Sequence, residues 1–197
     1  MTFQQLYEQA AILSGDPGFS IFGVKSYEQW VNDGNLYVAK RLPLALVSNL
    51  LTSKTENLLT TEEYSWQTDC LRIARIRRDG KDCDIIDLTK WKSTDRNTYC
   101  AASANIPYAM ILGNKFYVKP VSVLPEGITN GLITQYVKRP ATMTLVGDIS
   151  NIDIQYHPLI THYAAYIAKL IGRDATAQIL LKEIDDEIAN LIKLYGV

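Results

Sequence analysis

Two histidines, three cysteines, one run of carboxylates and one basic stretch are the side chains of this sequence whose types could do chemistry. His157 and His162 lie five apart where the neighbouring residues have helical spacing. A helix turns about 100° per residue, so five positions set the two imidazoles about 140° apart around the cylinder. A metal pair on a helix needs a spacing of three or four and further His, Cys or carboxylate ligands. Neither condition is met, and capping or surface use is the simpler reading for both rings. Cys70, Cys83 and Cys100 are odd in number and without C-x-x-C spacing, which fits reduced, partly buried thiols. Gly80-Lys81 is followed by Asp82 in an apparent hairpin and lacks the setting of a phosphate loop. The run Glu183, Asp185, Asp186 and Glu187 reads as a solvated helix face. Nothing pairs a nucleophile with its base, so neither an enzyme nor a metal or cofactor site is expected.

The polar feature with the most content is the series Arg72, Arg75, Arg77, Arg78 and Lys81. On a regular strand, alternate residues share a face, so Arg75 and Arg77 fall beside Ile73 and the face is mixed. Arg75, Arg77 and Arg78 form a candidate contact patch, and the hairpin 72–81 gives an alternative function, a nucleic-acid-binding module. Against it stand Asp69, Asp79, Asp82 and Asp84 nearby and the lack of regularly spaced stacking aromatics. A salt-bridged edge that resists aggregation is the plainer reading. Twelve tyrosines tilt the chain toward protein contacts, since an aromatic ring with one polar tip suits an interface.

The elements that would carry these residues change type twice. Phe3, Leu6, Tyr7, Ala10 and Leu13 recur at helical spacing until Gly15-Asp16-Pro17-Gly18. A second helix is expected from a Ser26 cap with Gln29 completing a capping box, running through Trp30 and Leu36 toward Leu51, weakened at Gly34 and divided at Pro43. Between Lys54 and Thr144 the period shortens to two. Strands are expected at Tyr64–Thr68, Leu71–Arg77, Cys83–Ile86, Met110–Leu112, Lys115–Lys119 and Gly131–Lys138, with turns at Arg78–Lys81 and Gly113-Asn114. Thr89 to Ala104 reads as a loop or short helix. His157 to Ile171 is apolar nearly all round, which predicts a helix buried on more than one side. Gly172 breaks it, and Asp174 can cap the last helix, which has one apolar face through Leu180, Ile184, Ile188 and Tyr195. The fold class is therefore α+β: a helical bundle from N- and C-terminal helices with an inserted antiparallel β domain. The expected domains are N-terminal helices 1–53, a β-rich insertion 54–148 and C-terminal helices 149–197.

With 197 residues, nearly half of them apolar, and a net charge of −1, the composition is that of an ordinary globular protein. Near-neutrality argues against a surface that grips nucleic acid all over. The N-terminal stretch lacks the basic start and apolar run of a secretory signal. Leu159–Ile171 is too short and too polar to span a bilayer, so no membrane is expected.

Three stretches resemble the head-to-tail adaptor proteins of short-tailed bacteriophages and their relatives. Tyr27-Glu28-Gln29-Trp30 through Asn35 and Ala39 is similar to the family's second helix. Gly131 to Pro140, ending Tyr136-Val137-Lys138-Arg139-Pro140, looks like its last strand. Ile154 to Ala168, followed by Gly172-Arg173-Asp174, looks like the entry to its C-terminal helix, except that the proline here, Pro158, follows Tyr156 instead of preceding it. The resemblance implies a structural protein of the virion neck, made in the bacterial host cytoplasm. It implies a homo-oligomeric ring, dodecameric in many members, docked beneath the portal protein and offering a platform to nozzle or fibre-bearing tail proteins. DNA would pass through that ring without sequence-specific binding, and no cofactor is implied. A helix apolar all round needs neighbours on two sides, which a ring supplies and which a bundle can also supply. Tyr156, Tyr163, Tyr166, Ile167, Leu170 and Tyr195 are the expected subunit or partner contacts.

Overall fold

A computed structural model describes residues 1–95 and 100–195. It is mixed helix and largely antiparallel sheet, α+β as expected, with helices at both ends of the chain and strands between. The chain divides into two compact units, Met1–Leu50 with Arg139–Val197, and Leu51–Lys138.

In the first unit, helix α1 (Phe3–Ser14) opens on a capping box: the Thr2 hydroxyl accepts from the Gln5 amide and the Gln5 side chain accepts from the Thr2 amide. Phe3, Leu6, Tyr7, Ala10 and Ala11 form its buried face. Gly15, at φ 86°, closes the helix in the left-handed conformation that glycine adopts without penalty. The buried Asp16 carboxylate then organises the turn, accepting from the amides of Ser20, Ile21 and Phe22 and from the Ser20 hydroxyl. Burial pushes this carboxyl up, but those four donors outweigh it and hold it below the usual carboxylate range. The turn delivers Phe19 and Phe22 into an edge-to-face aromatic chain with Tyr7, Tyr27 and Trp30.

Helix α2 (Val24–Arg41) starts at Gly23 without a side-chain cap. The expected Ser26 cap is thus corrected. The Ser26 amide is bonded to the Gly23 carbonyl, so Ser26 already lies within the first turn. The helix stops ahead of Pro43, and a 3-10 segment, Leu44–Leu50, completes this stretch. On the return, the extended strap from Arg139 lies on α2: the Asn32 amide donates to the Met143 carbonyl and its side-chain oxygen accepts from the Met143 amide, at 3.0 and 2.8 Å. Those contacts put residues 139–148 in the helical unit.

Further along, a short 3-10 turn, Ile154–Tyr156, leads into a helix His157–Ile171 whose early Pro158 suits a first turn where no amide partner is needed. The last helix is Ala177–Tyr195, approached through Asp174, which accepts from the Thr176 amide and hydroxyl. The helix His157–Ile171 packs against α1, α2 and Ala177–Tyr195, burying Leu159, Ile160, Ala164, Ala165 and Ala168. His157 is fully buried, which corrects its reading as a capping or surface residue. Its Nδ1 accepts from the Met1 ammonium at 3.1 Å, so the ring proton sits on Nε2 and donates to the Ile152 carbonyl at 3.0 Å.

That arrangement sets a pH dependence. Burial above all, with the Met1 ammonium, depresses the His157 pKa and outweighs the opposing Ile152 carbonyl and Asp153. A depressed folded-state pKa means the unfolded chain takes up the proton first. The contribution to stability is whole above the ordinary imidazole value of about 6.5 and is lost as pH falls below it. Denaturant titrations across that range will give a midpoint that declines with acidity, and His157→Gln will flatten the decline. Equal slopes for the two proteins would contradict the assignment.

The second unit is two sheets. The first takes β1 (Leu51–Leu58), β3 (Cys70–Arg78), β4 (Lys81–Asp82) and β8 (Ile128–Lys138) in the order β1-β8-β3-β4, all antiparallel. The second takes β2 (Glu63–Ser65), β5 (Asp84–Ile85), β6 (Tyr108–Leu112) and β7 (Lys115–Lys119) in the order β2-β7-β6-β5, with only β5–β6 parallel among its pairs. Leu58, Ile76 and Leu132 from the first sheet meet Tyr64, Ala109, Phe116 and Val118 from the second in one buried cluster. The turn between β3 and β4 puts Asp79 and Gly80 at φ 45° and 77°, the left-handed pair that a tight hairpin requires. The expected strand Cys83–Ile86 instead breaks at Cys83: Lys81-Asp82 stays on β3 while Asp84-Ile85 crosses to the other sheet. A short helix, α3 (Leu88–Thr94), falls in the stretch read as loop or helix. Residues 96–99 of that stretch lie outside the described residues.

Candidate functional site

With α3 assigned, the helices His157–Ile171 and Ala177–Tyr195 are α4 and α5. Positions 163, 166, 167 and 170 of α4 are spaced i, i+3, i+4 and i+7 and so form one stripe. Tyr163, Tyr166 and Ile167 are half-buried and Leu170 is 45% exposed, followed by Ile171 at 55%. Ala164, Ala165 and Ala168, buried in the bundle, lie across the helix from them, while the buried Leu159 and Ile160 continue the same side toward the start of α4. The stripe is therefore a part of α4 that the bundle covers incompletely.

Its polar border comes from α2 and α5. Tyr37 stacks on Tyr163 with ring centroids 4.3 Å apart and planes 25° from parallel, and Tyr166 is 5.9 Å further on. Arg41 lies over the Tyr37 ring at 5.0 Å, and both Arg41 and the Tyr37 hydroxyl donate to Asp185. Burial, reinforced by the Asp185 carboxylate, raises the Tyr37 pKa, so the phenol stays a donor. The sequence reading missed Tyr37 and Arg41. Their i, i+4 spacing on α2 was visible, but their carboxylate partner lies far along the chain. Tyr156 and Tyr195 are not on the stripe. Tyr156 is only 6% exposed and Tyr195 ends α5 at 50%.

The basic series takes a different form from the one expected. Opposite β8, Ile73 faces Tyr136 while Arg75 faces Gln135, which leaves Ala74 as an extra residue; Leu71 is a second, between Cys70 and Arg72. These bulges shift the parity of β3. Arg72, Arg75 and Arg77 fall on the side of Val137, Gln135 and Ile133, whereas Ile73, Ile76 and Arg78 point the other way. The shared face of Ile73, Arg75 and Arg77 is thereby corrected. So is the place of Arg78 in a contact patch. Arg78 is 5% exposed and donates to the carbonyls of Pro120 and Val121, tying down the segment before β8.

Little here offers reactivity. Among the described residues no three His, Cys, Asp or Glu side chains gather as metal ligands do. Burial first pushes the Cys83 thiol up to about 12, far from a reactive thiolate. A groove of about 620 Å³ between α2 and the strap is lined by charges of both signs, Lys25 and Arg139 with Glu28 and Asp33. No helix is long and apolar enough among the described residues to cross a membrane.

What remains is a packing protein with a half-exposed aromatic and aliphatic stripe, and its sequence agrees. The model of the family described as SU10 adaptor protein matches residues 1–194, nearly the entire chain. The chain belongs to the SU10 adaptor protein family. This is a family of phage head-to-tail adaptors, structural components of the virion and typically not enzymes. A comparison with curated proteins returns no match. The segments that carried the resemblance occupy defined places in this SU10 adaptor family member. They are most of α2, most of β8 with the start of the strap, and the 3-10 turn with α4 and the residues just after it. All three are structural positions, where helices pack or a strand leaves its sheet.

Proposed function

We propose that this chain is a neck adaptor that assembles as a ring, dodecameric in its mature form, beneath the portal protein and presents a platform to nozzle or fibre-bearing tail proteins. The observation that carries the reading is the α4 stripe. Tyr163, Tyr166, Ile167 and Leu170 are more apolar than a solvent-facing helix surface needs to be, and interface centres are built from aromatic and aliphatic residues. In this reading the helical unit meets the portal and adjacent copies, with Tyr195 and Ile171 extending its contact surface, and the β unit serves the tail proteins. Met1–Leu50 with Arg139–Val197 then act as one assembly module and Leu51–Lys138 as the insertion. Synthesis in the host cytoplasm precedes incorporation in the virion neck, and DNA passes the ring without sequence-specific binding. No cofactor has a role.

The test is to mix the purified chain with its portal protein and follow both by sedimentation with light scattering. Stoichiometric co-migration as a multimer of defined mass supports the proposal. A chain that stays monomeric and leaves the portal unchanged contradicts it.

A further inference from the structure

The outer face of the first sheet, opposite its buried cluster, holds a charge arrangement that the packing role does not use. Cross-strand register aligns Arg75 with Gln135 and Ser53, and Arg77 with Ile133 and Thr55, while Arg72 sits in the next row with Val137 and Leu51. Only the bulge at Ala74 permits this, since in a regular strand residues 72 and 75 face opposite sides. Three arginines thus share a face with Ser53, Thr55 and Gln135, all exposed or half-exposed. The Asp82 carboxylate on β4 answers Arg75 and Arg77. It accepts from Arg75 Nε at 2.6 Å and from Arg75 Nη2, and it lies 3.3 Å from Arg77 Nε. The Arg75 bonds first of all hold the Asp82 carboxyl below its usual range.

We infer that this face is a phosphate-contacting surface for double-stranded DNA, with Asp82 occupying the place of a backbone phosphate when no DNA is present. The planar fork of arginine grips a carboxylate and a phosphate in the same bidentate way, so one can replace the other. Arginine, glutamine, serine and threonine are the usual donors to the DNA backbone, and contacts of that kind carry no sequence information. An acidic protein partner fits less well. Ile133 is half-buried and Val137 wholly buried, so apart from Leu51 at one corner the face lacks the apolar anchor on which protein interfaces turn. The source of the DNA rests on the neck reading, in which packaged DNA passes the adaptor; the binding itself does not.

The experiment is a fluorescence titration of the full chain against a short labelled duplex of arbitrary sequence at several salt concentrations. Two phosphate contacts predict a slope of log K against log salt of about −2. Arg75→Ala with Arg77→Ala will bring that slope close to zero. Asp82→Asn, which frees both arginines, will tighten binding by roughly threefold to tenfold. All three positions are exposed or half-exposed, so thermal melts will show these variants folded. Lys193→Ala with Lys182→Ala, the same loss of two positive charges on α5, will leave binding unchanged. The inference is overturned if Asp82→Asn binds no tighter, or if the lysine pair weakens binding as much as the arginine pair does. Equal binding of polyglutamate would also overturn it, by reassigning the face to an acidic protein. A chain that binds the duplex but never joins a portal fails the neck reading alone, and the reverse result fails this inference alone.

Discussion

Gly34→Val will destabilise the helical unit by about 3 kcal/mol, the upper range for forcing extra methyl groups into a packed contact. Gly34 lies where α2 passes α4. A Cβ built there would stand 2.8 Å from the Ile160 carbonyl oxygen and 3.3 Å from Tyr163 Cδ1. The first of these is a backbone atom and has no rotamer with which to move aside, so the helices must separate. Alanine brings a gain in helix propensity of up to about 1 kcal/mol over glycine, and the carbonyl contact is expected to outweigh it. Gly34→Ala will therefore be milder than valine but still destabilising. Denaturant titration followed by far-UV circular dichroism reads the effect. Should Gly34→Ala prove as stable as the natural chain, the close approach of α2 and α4 is not a constraint. A second consequence is local. Displacing Tyr163 breaks its stack with Tyr37, so these variants should lose assembly before they lose their fold.

Leu170→Asp should do the opposite, abolishing assembly and sparing the protomer. At 45% exposed, Leu170 contributes little to its own bundle, and substitutions at such sites usually change stability by no more than about 0.5 kcal/mol. A carboxylate at the centre of an apolar contact costs on the order of 3 kcal/mol, which is about a hundredfold per contact. A closed ring repeats the same contact around its axis, so the loss recurs at every boundary. Asn190→Asp, exposed on the side of α5 turned away from Asp185, adds the same single negative charge and should assemble normally. If Leu170→Asp forms rings at the same concentration as the natural chain, the stripe is not the contact.

How local each determinant is decides which features the sequence disclosed and which it hid. The α4 period and the hairpin around Gly113 were legible because spacing and turn residues act within one segment. Strand β1 was not anticipated over its length. Leu51-Thr52-Ser53-Lys54-Thr55-Glu56-Asn57-Leu58 has no apolar alternation, since an edge strand exposed on one side has little to bury. The bulges at Leu71 and Ala74 could not be read at all, because a bulge exists only relative to a partner strand, here β8. For that reason the arginines were assigned the wrong neighbours. His157 was misjudged because Met1 and Ile152 reach its ring from other parts of the chain. Of the half-exposed stripe, its α4 residues were legible as residues in excess of what a bundle needs. Its border of Tyr37, Arg41 and Asp185 was not, since it is assembled from two helices far apart in the chain.

The measurement that bears most directly on the proposed assembly is an electron-microscopy reconstruction of the chain bound to its portal, resolved well enough to place side chains. The expected result is a closed ring with Tyr163, Tyr166, Ile167 and Leu170 buried at a boundary with an adjacent copy or with the portal. A reconstruction in which that stripe faces solvent while other surfaces carry every contact would contradict it.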